Sequence, residues 1–189
     1  MSLPTAYRLL HEDLTRQLSA WRAPDQAQEE LRTGYLAHLG AHPDAMWKRG
    51  PPAHFTASCI VLDQAGSHAL LTLHKKAGAW FQLGGHFEPG DTNAHQAAQR
   101  EAREESGIRT LVALPQIIQL DRHHLVGSFG RCREHLDLRF AAAADGGATL
   151  VVSGESVDVR WWPTDGLPAD NRHDLQPLVE TARLALGLT

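Results

Sequence analysis

The chain has 189 residues and a formal charge of −4 with its 12 histidines neutral. That length suits one domain with a sizeable core plus an appendage, and that charge leaves no basic footprint for duplex nucleic acid. Two cysteines, Cys59 and Cys132, do not suggest a disulfide scaffold and read as reduced thiols of a cytoplasmic protein; no apolar run approaches the ~20 residues that span a bilayer, and no signal-peptide pattern opens the chain.

From Leu3 to Trp21 the residues Leu3, Tyr7, Leu10, Leu14, Leu18 and Trp21 repeat at helical spacing with charges between them. A second helix is predicted from Pro24-Asp25 to Gly40, with Ala27, Leu31, Tyr35 and Leu39 on its inner face. Such a hairpin cannot bury both stripes alone, so it packs on the main domain or on a second subunit, as in a homodimer. Residues 41–52 are rich in turn formers and read as a packed linker, which divides the chain into an arm with linker (1–50) and a main domain (51–189).

Phe55 to Asp63 and Ser67 to His74 fit a β-hairpin around Gln64-Ala65-Gly66. Trp80 to Leu83 fits a short strand, with Trp80 in the core beside the loop that follows. Gly84 to Ile108 then reads as a Gly/Pro-rich loop opening into a helix stopped by Gly107. One or two strands bent at Pro115 are predicted over Leu111 to Leu120, and a surface loop over Asp121 to Arg133. His135 to Ala143 alternates as a strand, with Leu136, Leu138 and Phe140 on one face and His135, Asp137 and Arg139 on the other. Val157 to Trp162 is a further strand, and Asp174 to Leu186 a helix with Leu178, Val179, Ala182 and Leu186 inward. This order suits an α/β fold with a mixed sheet between helices.

Chemistry concentrates on the middle helix. Glu101, Glu104 and Glu105 stand at i, i+3 and i+4 and share one helical face. Like charges so placed weaken a bare helix, whereas a hard divalent cation with oxygen ligands reverses the penalty; the plain alternative is a solvated acidic patch. Gly84 and Gly85 let backbone approach an ion or phosphate closely.

The segment GGHFEPGDTNAHQAAQREAREESGI resembles the signature of the Nudix hydrolases, in which G, five residues, E and seven residues precede R-E-U-x-E-E-x-G-U, with U bulky and apolar. Three departures stand in this chain: Asp91 replaces the loop Glu, the spacer before Arg100 has eight residues, and Ala102 is small for its position. The resemblance implies a Nudix-type mixed β-sheet sandwiched between helices, here with an N-terminal helical arm. It also implies a metal-dependent pyrophosphohydrolase that cleaves the diphosphate linkage of a nucleoside diphosphate joined to another moiety. Sugar nucleotides such as ADP-ribose, dinucleoside polyphosphates and modified nucleoside triphosphates are the substrate classes implied.

By the same resemblance Glu101, Glu104, Glu105 and the Gly85 carbonyl hold Mg²⁺ or Mn²⁺, and Arg100 pairs with Asp91 to orient the glutamates. The general base is Glu101 or Glu104 in the box, or Glu155 outside it. His86, next to the glycines, and Asp137 and Arg139 are candidate substrate contacts, weighed against loop packing and a surface salt bridge. His123, His124, Cys132 and His135 fit no common zinc spacing and read as a polar substrate-side loop. Cys59 and Cys132 lie in no motif for isoprenoid diphosphate isomerisation. A Nudix domain that has lost catalysis and senses nucleotides or binds proteins is the contrasting reading, against which the three intact glutamates speak.

Overall fold

The computed structural model describes residues 3–125, 131–154, 156–169 and 175–188. Its axis is β1 (Ala53–Asp63), an eleven-residue strand buried along nearly its whole length. Phe55, Ala57, Cys59 and Val61 point into one core layer, and Ile60 and Leu62 into a second. A strand with apolar groups on both faces must be covered on both.

The covering follows from pairing. β6 (Glu134–Ala144) lies parallel to β1, with Ala53 opposite Glu134 through to Asp63 opposite Ala144. β2 (His68–His74) returns antiparallel to β1 around Gly66, whose φ of 68° suits a residue without Cβ. β3 (Ala79–Phe81) and β7 (Ser156–Pro163) both pair with β2. β4 (Leu83–His86) pairs with β1, and β5 (Gln119–His124) with β6. The result is one mixed seven-stranded sheet. α4 (Leu175–Leu186) lays Leu175, Leu178, Val179 and Ala182 over Ile60, Leu62 and Leu71 on one face. α3 (Ala94–Ser106) covers the other face through Ala97, Ala98 and Ala102, whose small side chains let the helix lie close to β1 and β4.

The two N-terminal helices, α1 (Thr5–Ala20) and α2 (Gln26–Ala41), join that second face. Leu10, Leu14, Leu18, Tyr35 and Leu39 share one core with Phe55, Leu120 and Leu138. Each fully buried leucine of this kind contributes roughly 1.5–3 kcal/mol relative to exposure. Polar groups complete the dock: Trp21 Nε1 donates to the Ile117 carbonyl at 2.8 Å. The Gln28 amide serves Leu120 as a neighbouring strand would, taking its N–H at 2.7 Å and donating to its carbonyl at 3.0 Å. Among the described residues no helix is long and apolar enough to cross a membrane.

Several sequence expectations change. Gly84, Gly85 and His86, read as the start of the loop, pair with β1 as part of β4. Residues 111–118 form no strand beyond a single bridge, Ala113 to Ala142. The strand instead occupies Gln119–His124, most of it in the stretch read as a surface loop. Asp121 and His123 face Asp137 and His135 of β6, so this strand packs polar against polar and carries no apolar alternation. Trp80 is buried in the core edge, 5.1 Å from the Trp162 ring.

Candidate active site

The loop between β4 and α3 is shaped by Asp91. Its Oδ2 accepts the Glu88 N–H at 2.7 Å, and its own N–H bonds the Glu88 carbonyl at 3.0 Å, closing a turn around Pro89-Gly90. Asn93 then caps α3 by accepting the Gln96 N–H at 2.8 Å, and Gly107 ends it in the left-handed conformation at φ 78°.

Arg100 is the hub. It donates Nε and Nη2 to the two oxygens of Asp91 at 3.0 Å each, and Nη2 also to the His86 carbonyl at 3.0 Å. Its Nη1 reaches Glu101 at 2.9 Å and Glu104 at 3.3 Å. Burial works against the guanidinium charge, but the bonds to Asp91 and Glu101 outweigh it and hold Arg100 protonated. A fork of fixed donors can do this, whereas a lysine ammonium could not reach all four partners in one geometry.

The glutamates have three different surroundings. Glu105 is buried and accepts the Gly84 N–H at 2.8 Å, while Glu104 is exposed at the rim. Glu101 lies so near Gly85 that a Cβ there would sit 2.6 Å from its Oε1. The missing side chain is what allows strand and carboxylate to meet. Hard oxygens from one helical turn, beside a backbone cradle that only glycine leaves open, are a donor set that fits Mg²⁺ or Mn²⁺.

Asp137 and Arg139, considered from sequence as substrate contacts, are 3 % and 1 % exposed. Asp137 accepts from Thr56 Oγ1 at 2.8 Å, Ser58 Oγ at 2.6 Å and Gln82 Nε2 at 3.3 Å. Arg139 bonds Gln119 Oε1 at 2.8 Å and pairs with Asp121 at 3.0 Å and Asp137 at 3.4 Å. These groups brace the junction of β1, β5 and β6, and Gln82 just before β4, from inside rather than forming a surface salt bridge. Glu155 lies outside the described residues.

His86 points away from the glutamate helix, its Nε2 3.1 Å from that of His54. Burial, with Lys48 and His54 adding, pushes the His86 imidazole down to about 3. His135 is pushed down to about 2, by burial first and by the neighbouring histidines second. Of the four residues considered together as a zinc set, the structure brings donor atoms of Cys132 and His135 together with those of His54 and His86, while the His123 ring packs edge-on against His135 at 5.4 Å. His54 carried no local signal beyond the alternation His54, Thr56, Ser58 along β1; only strand pairing reveals its partners.

The NUDIX domain profile matches residues 52–182. At the sequence level no curated protein matches the chain. Among solved structures, a NUDIX-family hydrolase from Clostridium perfringens is 26% identical, covering 71% of this chain and 97% of that one at a TM-score of 0.51. The E. coli dihydroneopterin triphosphate pyrophosphohydrolase is 18% identical over 71% of this chain and 96% of its own, at a TM-score of 0.56. The NUDIX domain of Shewanella oneidensis NrtR, complexed with ADP ribose, is 16% identical over 70% and 87%, at a TM-score of 0.52.

Proposed function

Since the chain belongs to the NUDIX domain family, we propose that it is a metal-dependent hydrolase cleaving the diphosphate linkage of a nucleoside diphosphate joined to another moiety. The observation that carries this reading is the meeting of Glu101 with Gly85, held by Arg100 and Asp91. Glu101, Glu104, Glu105 and the Gly85 carbonyl are the proposed holders of Mg²⁺ or Mn²⁺. When bound, such an ion neutralises phosphoryl oxygens and lowers the pKa of a bound water.

The chain's own contribution is positioning. Arg100 sets the carboxylate of Glu101, and Glu105 ties the helix to the Gly84 backbone, so the acids stand on a rigid frame. The proton of the attacking water passes to Glu101 or Glu104, or to Glu155 as a distal base. Kinetics of Glu155→Gln separates these: a fall in kcat with unchanged metal affinity selects Glu155. Asp137 and Arg139, buried behind β4, are proposed to position the glycine strand for substrate, with residues 51–189 as the catalytic domain and 1–50 as its docked arm. Small nucleotide derivatives are the proposed partners and the cytoplasm the proposed location.

The solved relatives point to substrate classes: one is a triphosphate pyrophosphohydrolase and one holds ADP ribose. A panel of ADP-ribose, dinucleoside polyphosphates and nucleoside triphosphates, run with Mg²⁺ or Mn²⁺ on wild type and Glu104→Gln, tests the proposal. Turnover of at least one member, lost in the variant, is expected. Tight nucleotide binding with no turnover would replace the enzyme by a nucleotide sensor.

A further inference from the structure

On the face of β1 turned away from α3, four potential donors converge. One donor atom from each of His54, His86, Cys132 and His135 lies within 4.8 Å of all the others. They come from separate places: His54 from β1, His86 from the end of β4, His135 from the start of β6, and Cys132 from the residues just before it. Strand register explains the meeting. His54 lies directly opposite His135 in the parallel pair, and His86, opposite Thr56, is its diagonal neighbour.

The donor set has a chemical preference. Three imidazole nitrogens and one thiolate suit a borderline-soft ion and fill a tetrahedral shell, whereas Mg²⁺ favours oxygen. The 3.1 Å between His54 Nε2 and His86 Nε2 is close to the roughly 3.3 Å edge expected of a tetrahedron with zinc–nitrogen bonds. His54 Nδ1 lies 3.1 Å from the Pro51 carbonyl, so Nδ1 carries the proton and the Nε2 lone pair faces the cluster. A carbonyl holding the far nitrogen is how metal-binding histidines are commonly oriented.

Another atom points the same way. His135 Nε2 is buried with no hydrogen-bond partner among the described residues. A buried nitrogen left so costs stability, and a cation supplies the partner. A simple hydrogen bond between His54 and His86 explains their contact but neither the orphaned nitrogen nor the convergence of Cys132.

We propose that His54, His86, Cys132 and His135 bind one Zn²⁺ in a closed, structural site separate from the glutamate site. Binding releases the Cys132 thiol proton to solvent, and no oxidation is involved. The exposed Lys48 nearby adds positive charge that opposes the ion, and the thiolate's negative charge offsets it. The ion pins the end of β4 to β1 and β6. His86 directly follows Gly85 and its carbonyl receives Arg100, so the pin holds the strand that faces Glu101.

The test uses tag-free full-length chain stripped with chelator, then titrated with Zn²⁺ and, in parallel, Co²⁺. One Zn²⁺ per chain is expected, with a tetrahedral Co²⁺ spectrum that includes a thiolate-to-cobalt charge-transfer band. Cys132→Ser should lose that band and weaken Zn²⁺ by more than the roughly 100-fold that losing a supporting hydrogen-bond partner costs. Glu101→Gln should keep both band and affinity, whether or not the chain proves to be a hydrolase. The absence of stoichiometric zinc, a Co²⁺ spectrum without the thiolate band, or unchanged Zn²⁺ affinity in folded Cys132→Ser would each overturn the proposal.

Discussion

Asp91 receives both Nε and Nη2 of Arg100 at 3.0 Å, a bidentate pair in which the acid is almost wholly buried. The shorter acid therefore reaches the arginine across a spacer one residue longer than the family pattern, with the helix starting at Ala94 behind its Asn93 cap. Arg100 in turn holds Glu101 and Glu104. Removing the acid leaves the hub half-satisfied. Asp91→Ala is expected to weaken Mn²⁺ affinity by about 10–100-fold, the range for loss of an orienting partner, measured by calorimetry or spin relaxation. Unchanged affinity would remove Asp91 from the site.

The two glycines of β4 should fail differently. The atoms nearest a Cβ on Gly85 are the end of the Glu101 side chain, from 2.6 Å, which can swing aside. Gly85→Ala is expected to keep its melting temperature within about 2–4 °C while kcat falls by about 100-fold or more. A Cβ on Gly84 meets Ser58 Cβ at 2.5 Å and the Ala57 carbonyl oxygen at 2.9 Å, which are fixed strand atoms. Gly84→Ala should therefore cost about 1–3 kcal/mol in urea unfolding.

Arg139 is the buried charge on which two carboxylates depend. Arg139→Met keeps the volume but removes the guanidinium shared by Asp121 and Asp137, leaving Asp121 the His123 ring at 2.7 Å and Asp137 its neutral donors. A loss of about 3–5 kcal/mol is expected by denaturant titration. A loss under about 1 kcal/mol would show that the pairs only break even with apolar packing.

Acid stability should carry a signature at the β1–β2 turn. Asp63 accepts the Ser67 N–H and Oγ at 2.7 Å each and the His68 N–H at 3.1 Å. Burial pushes its carboxyl up, but these bonds outweigh it and hold it below its ordinary value of 3.8. A depressed folded-state pKa means the native chain releases its proton more readily than the unfolded one. The stabilisation is thus complete above 3.8 and fades as pH falls through the folded value. Asp63→Ala should be about 1 kcal/mol less stable at pH 7, with the gap closing below pH ~3.8.

Elements with a strong local pattern are legible in the residues alone. The stripes of α1 and α4, the alternation of β6 and the run Arg100, Glu101, Glu104, Glu105 are written at helical or strand spacing, and the structure places them as read. Strand β5 and the histidine–cysteine cluster were not legible, because their logic is pairing at long range. Asp121 and His123 look like loop residues until β6 sets Asp137 and His135 opposite them. His54 and His86, 32 residues apart in the chain, meet only because β1 and β4 are neighbours in the sheet. Where the arm docks follows from packing and not from its own residues. The amphipathic stripes required a partner surface, and Trp21, Gln28 and Tyr35 found backbone carbonyls for it on β5 and the segment before it, with His38 reaching the Ala53 carbonyl of β1 as well.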